Sequence, residues 1–167
     1  MAEPVFTGVG VALVTLFDDA RQVDHDGTGK LAAQLVELGA TAIVVAGTTG
    51  EADALDDAER LALFASVRAA VPDAVVVGGT GSSSAHQTAR LTASARDTGV
   101  DAVIARTPRG RGDPRARQRQ AGALRGAGDA AAQRALAAAH VSEQDFPCGV
   151  KHLVARRFGT SEIVRMG

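Results

Sequence analysis

Four largely apolar runs, the first ending in a polar turn and the others in glycine- or proline-bearing ones, punctuate the first 108 residues. Val11–Phe17 reads as the first strand, followed by the polar turn Asp18-Asp19-Ala20-Arg21. Asp26 to Leu38 then predicts a helix, because Leu31, Leu35 and Leu38 recur on one face, and Gly39 stands where a left-handed closing residue belongs. Ala42–Ala46 is the second strand, and it empties into Gly47-Thr48-Thr49-Gly50-Glu51. Asp56, with Glu59 three residues on, has the form of a capping box. The helix it opens carries Leu61, Phe64 and Val67 on a common face and stops before Pro72. Ala74–Gly81 predicts a third strand, Ser82-Ser83-Ser84 supply caps for a helix reaching about Asp97, and Gly99 closes it. Asp101–Ala105 predicts a fourth strand ending near Thr107-Pro108.

The strands end near Phe17, Ala46, Gly78 and Ala105, and a recurrence of about 30 residues is that of successive βα units. Short buried strands joined by right-handed helical crossovers make a parallel sheet. In such sheets ligands bind at the carboxyl ends of the strands. The Gly47–Glu51 loop stands at such an end, where two hydroxyls and free backbone N–H groups can hold a small carboxylate.

Beyond residue 105 the pattern changes. Arg106–Gly128 holds seven Arg, five Gly and two Pro with a single Leu; lacking any apolar period, it reads as irregular or disordered. Ala130–Ala139 predicts an Ala-rich helix, and Val150–Phe158 a last helix closed by Gly159. Charge divides at the same place: 14 acidic and 6 basic residues lie in 1–105, 5 acidic and 12 basic in 106–167. Cys148 is the only cysteine, which excludes an intrachain disulfide and a CxxC metal site; it reads as a packed thiol. The four histidines show no ligand spacing, so no metal is expected. Val9–Phe17 is far shorter than the ~20 residues a membrane helix needs, and a cytoplasmic protein without a membrane partner is expected.

The first 108 residues resemble the dihydrodipicolinate synthase and N-acetylneuraminate lyase family of Schiff-base aldolases. Ala12-Leu13-Val14-Thr15-Leu16-Phe17 is similar to the family's first strand, which usually has Pro where Leu16 stands. Gly47-Thr48-Thr49-Gly50-Glu51-Ala52, with Glu59 after six further residues, is similar to the family's main signature. Val77–Ser82 resembles the third strand and its glycine loop, and Asp101–Ile104 with Thr107-Pro108 the fourth. The segment from about Gly128 to Gly167, with Phe146–Lys151, is similar to the family's C-terminal helices. The resemblance implies an α/β fold, a partial (β/α)₈ TIM barrel: the first four βα units plus a helical C-terminal tail. The expected organisation is a barrel-type unit over 1–108, an arginine- and glycine-rich linker over 109–128 and a helical segment over 129–167. A GC-rich gene read out of frame yields the composition of the linker. We therefore hypothesise an internal deletion with a local frame change, which fails if no other frame over codons 106–128 restores a tyrosine-bearing loop.

The resemblance also implies chemistry. Such enzymes join a lysine to the ketone of pyruvate or a related 2-oxo acid as an imine, with a tyrosine as proton relay and a Thr-Thr pair on the carboxylate. Thr48 and Thr49 match the substrate-binding pair. The tyrosine's place reads Arg109-Gly110, and the chain has no tyrosine. Only Lys30 and Lys151 are available; Lys30 belongs to the first helix, and Lys151 reads as a surface helix lysine. No catalytic residue is therefore assigned and no cofactor is expected. Glu51 admits a general-base role, but a first-turn helix carboxylate favoured by the helix dipole is preferred. Gly79-Thr80-Gly81 reads as a tight turn rather than a phosphate cradle, since no P-loop lysine follows. The expectation is a 2-oxo-acid lyase relative that is catalytically incomplete and self-associates through open barrel edges. The alternative is a non-enzymatic assembly or binding fragment using the basic linker; nucleic acid is a disfavoured partner, as no aromatic residues are interleaved there.

Overall fold

A computed structural model of the chain describes residues 4–105, 148–161, 163 and 165. Its centre is an all-parallel sheet of β1 (Val9–Ala12), β2 (Ala40–Val45), β3 (Val75–Gly79) and β4 (Ala102–Ile104), paired in chain order. Three helices alternate with them: α1 (His25–Glu37), α2 (Asp57–Ala70) and α3 (Ala85–Ala95). A doubly wound sheet reverses strand order at a switch point. Here the order never reverses, α1 packs on α2 and α2 on α3. Same-handed crossovers advancing one way place every helix on one face, which makes these units an arc of a (β/α)₈ ring.

The core lies between that face and the helices. Ile43, Val45 and Val76 are sealed under Leu63, Phe64 and Val67. Gly78 passes beneath the Phe64 ring, where an added Cβ would lie 3.0 Å from a ring carbon. The caps form as their residues dictate. Asp56 and Glu59 complete the capping box of α2 with bonds of 2.8 and 2.9 Å. Ser84 accepts from the Gln87 N–H at the start of α3, and Gly39 and Gly99 take φ of 101° and 81°.

Two expectations need correction. The first strand is Val9–Ala12, not Val11–Phe17. Leu13 donates one last ladder bond to the Val44 carbonyl, after which the chain leaves the sheet. Leu13–Phe17 stays apolar because it is buried, each residue at 3% exposure or less. Its polar groups bond elsewhere: Leu16 N–H donates to Thr28 Oγ1 and the Thr15 hydroxyl to the Gly50 carbonyl. Burial, not pairing, accounts for the run. In α1, Leu31 and Leu35 face the core, but Leu38 caps the helix and is 64% exposed.

The last helix, α4 (Cys148–Phe158), begins two residues earlier than the pattern predicts and ends at Gly159, whose φ is 69°. Val154, Phe158 and Ile163 pack on the core of the strand–helix units. The linker 109–128, the helix expected at 130–139 and the Cys148 thiol lie outside the described residues. Among the described residues no helix is long and apolar enough to cross a membrane.

Candidate functional site

β2 delivers the threonine loop. At Ala46 the backbone turns into the left-handed region, φ 49°, and a tight turn follows. Gly50 and Ala52 N–H groups both donate to the Gly47 carbonyl, and Glu51 N–H donates to the Thr48 carbonyl at 3.1 Å. Thr48 is left exposed and Thr49 half-buried. Both line a cleft of about 410 Å³ on the open face of the sheet, lined also by Ala12, Val44, Asp53, Gly79 and Ile104. The lining is mostly apolar with a few polar side chains, a composition suited to a small ligand with one polar head.

The loop depends on the close approach of β3. A Cβ on Gly79 would sit 2.0 Å from the Ala46 carbonyl oxygen and 2.7 Å from its carbon. Only glycine lets these two backbones touch. Arg60, 3% exposed, donates to the carbonyls of Gly81 at 2.9 Å and of Ala52, tying the β3 rim of the cleft to the β2 rim. Burial pushes its guanidinium below the usual arginine value. Thr80 is buried, its hydroxyl accepting from Thr92 Oγ1 at 2.8 Å and its N–H donating to the Ile104 carbonyl; Gly79 is the last residue of β3 and Thr80 carries the pairing with β4 one bond further, so the tight turn expected at Gly79-Thr80-Gly81 does not form.

Beneath the loop lies a charged cluster that overturns two expectations. Lys151 is not a surface helix lysine: it is 0% exposed, with Nζ 2.5 Å from Glu51 Oε1 and donating to the Ile163 carbonyl at 2.6 Å. Its ammonium stands 4.2 Å from the centroid of the Phe17 ring, a favourable cation–π position. Glu51 is not a first-turn helix carboxylate. It precedes the single 3₁₀ turn Ala52–Ala54 with φ 54° and is 0% exposed, its Oε2 accepting the Arg165 N–H at 2.8 Å. The Arg165 guanidinium donates to Glu59 Oε2 at 2.7 Å and to the carbonyls of Ala54 and Arg21. That hydrogen bond holds the Glu59 carboxyl below its ordinary 4.5 and raises Arg165. Lys30, by contrast, is exposed and paired with Asp26 at 2.5 Å on α1.

The sequence pattern contained signals for both buried cations. Arg60 heads the stripe Leu63, Phe64, Val67, and Lys151 heads the stripe Val154, Ala155, Phe158. Each stands three, four and seven residues before apolar partners on its own helix face. The partners across the fold carry no such signal. The structure brings Thr48 and Thr49 together on the cleft and places Lys151 behind the loop, outside the described residues that line it. Among the described residues no group of three or more His, Cys, Asp or Glu could hold a metal ion.

Comparison with known proteins gives a consistent outcome. The model of the dihydrodipicolinate synthetase family matches residues 5–109. The 4-hydroxy-tetrahydrodipicolinate synthase of Moorella thermoacetica is 43% identical over 98 residues, 58% of this chain and 34% of that protein. Among solved structures, dihydrodipicolinate synthase DapA-2 of Bacillus anthracis superposes with a TM-score of 0.61 at 39% identity, covering 65% of this chain and 37% of that one. YagE of Escherichia coli K12, a prophage protein of the same family solved in complex with pyruvate, gives 0.58 at 29% identity, covering 61% and 35%. The chain thus spans 34% and 31% of the length of the first two curated relatives it matches.

Proposed function

The chain belongs to the dihydrodipicolinate synthetase family, and from that premise we propose that it binds a small 2-oxo acid such as pyruvate in the Thr48–Thr49 cleft without turning it over. Supporting the binding half, the two threonines line a cleft of suitable size, and a family relative has been solved with pyruvate. The observation that carries the catalytic half is the engagement of Lys151. An imine requires a neutral amine to attack the ketone carbon, with water leaving from the former carbonyl oxygen. A buried carboxylate 2.5 Å from Nζ favours the ammonium instead, and no tyrosine exists to relay protons.

Two measurements test this reading. Pyruvate titrated into ¹⁵N-labelled chain should shift the Thr48 and Thr49 amides, and Thr48→Val with Thr49→Val should weaken that response at least tenfold. Borohydride added with pyruvate should leave the intact mass unchanged. An adduct on either lysine would overturn the catalytic half; an unperturbed threonine loop would overturn the binding half. A cytoplasmic location belongs to the same proposal and is open to cell fractionation.

A second reading rests on the sheet edges. Among the described residues β1 and β4 each pair on one side only, and Val9 and Ile104 on them are 46% and 53% exposed. Unpaired parallel edges favour addition of another strand, so we propose that copies of the chain associate, with the barrel-type unit 1–108 as the associating part. Sedimentation velocity over a hundredfold concentration range decides; a monomer throughout refutes it.

A further inference from the structure

The residues that aim the threonines and the residues that hold the C-terminal segment meet in one side chain. We infer that Glu51 is a positioning residue for the Thr48–Thr49 pair, clamped from Lys151 and Arg165, so that the C-terminal segment completes the site without touching its ligand. This rests on the reading of the two threonines as the ligand-holding pair.

Glu51 serves the loop and the cluster at once. Its N–H closes the turn onto the Thr48 carbonyl, and Ala52 N–H beside it returns to the Gly47 carbonyl. Its φ of 54° is one that residues other than Gly, Asn and Asp seldom adopt, so something outside the loop must hold it there. The holding contacts run through the carboxylate: Oε1 on Lys151 at 2.5 Å and Oε2 on the Arg165 N–H at 2.8 Å, with Glu51 and Lys151 both fully buried. The cations have anchors of their own. Lys151 is fixed by the Ile163 carbonyl and the Phe17 ring, and Arg165 by Glu59 and the carbonyls of Arg21 and Ala54. A buried carboxyl that loses these partners carries an uncompensated desolvation cost, which moving the group to water relieves. Moving it would draw Glu51 out of its left-handed conformation and release the turn beneath the threonines. The Thr15 hydroxyl on the Gly50 carbonyl secures only the residue next to it.

The test uses the full chain, ¹⁵N-labelled, with two readouts: hydrogen exchange at the Gly50, Glu51 and Ala52 amides, and the pyruvate response of the Thr48 and Thr49 amides. Lys151→Met and Glu51→Gln each break the pair. The double variant strands no charge, so it isolates the loop even where Lys151→Met alone fails to fold. Val67→Ala, a core truncation on α2, is the control for lost stability. The clamp predicts at least a tenfold loss of protection at the three loop amides beyond any loss across α2, together with at least a tenfold rise in the pyruvate Kd. Val67→Ala should lower protection evenly and change the Kd less than twofold. Loop protection that merely follows α2 in the double variant, or a Kd unmoved by it, overturns the inference. Absence of any pyruvate response in the unmodified chain sinks the ligand reading alone, and the exchange readout still judges the clamp.

Discussion

Gly79→Ala tests the packing on which the cleft depends. The new Cβ would lie 2.0 Å from the Ala46 carbonyl oxygen, 2.7 Å from the Ala46 carbonyl carbon and 3.1 Å from the Gly47 nitrogen. Carbon and carbonyl oxygen normally approach no closer than ~3.3 Å, so the two backbones must part by more than 1 Å, on the order of a third of that contact distance. Overpacking a core costs about 1–3 kcal/mol when side chains can yield. Here the obstacle is main chain, so we expect about 3 kcal/mol or more, a large share of the ~5–15 kcal/mol by which domains are stable. Gly78→Ala is the internal reference. It changes the same strand by the same methyl group and gains the same unfolded-state entropy, but meets the Phe64 ring at 3.0 Å. A ring can tilt, and we expect about 1 kcal/mol, the low end of the overpacking range. Urea melts followed by circular dichroism should place the Gly79→Ala midpoint about 1 M or more below the unmodified chain, at an unchanged slope of roughly 1–3 kcal/mol/M. A Gly79→Ala midpoint at or above that of Gly78→Ala would refute the reasoning.

Three further outcomes are expected. Asp56→Ala removes the N-cap of α2 and half of its capping box; a loss of about 1 kcal/mol in urea melts is expected, and none would mean that water replaces the cap. Thr15→Val keeps its shape but strips the buried Gly50 carbonyl of its 2.7 Å donor, costing about 1–3 kcal/mol, and a neutral substitution would show that the loop is held elsewhere. Glu59 is held below its ordinary 4.5 by Arg165. Its contribution is therefore full above 4.5 and disappears as pH falls through the lower folded-state value. The gap in melting temperature between the unmodified chain and Arg165→Met should narrow between pH 6 and pH 3 without closing, because the bonds to Arg21 and Ala54 carbonyls do not titrate. A constant gap counts against the pairing.

Much of the arc was legible because its signals are local. Capping boxes, closing glycines and helix periodicity act within a few residues, and the residues at Asp56, Ser84, Gly39 and Gly99 behave as their chemistry requires. The β1 boundary was not legible, since an apolar run reports burial and says nothing about whether the backbone pairs with a ladder or with Thr28 and Gly50. Leu38 shows the converse failure, a periodic position carried past the end of its core. Lys151 was misread as a surface lysine, and Arg60 drew no reading, for one shared reason. A cation at the head of an apolar stripe is ambiguous until its acceptors are known, and those acceptors lie on other elements: Ala52 and Gly81 for Arg60, Glu51 and Ile163 for Lys151.

By itself, the sequence determined the repeating βα units, their parallel pairing and the place of Thr48-Thr49 at a strand's carboxyl end, because each follows from alternation, caps and turn residues close together in the chain. Only the tertiary structure decided that Glu51 turns inward, that Lys151 reaches it across 100 positions of sequence, and that Gly79 lies against Ala46. Buried charge and backbone contact are settled by what stands opposite, and what stands opposite is a property of the fold.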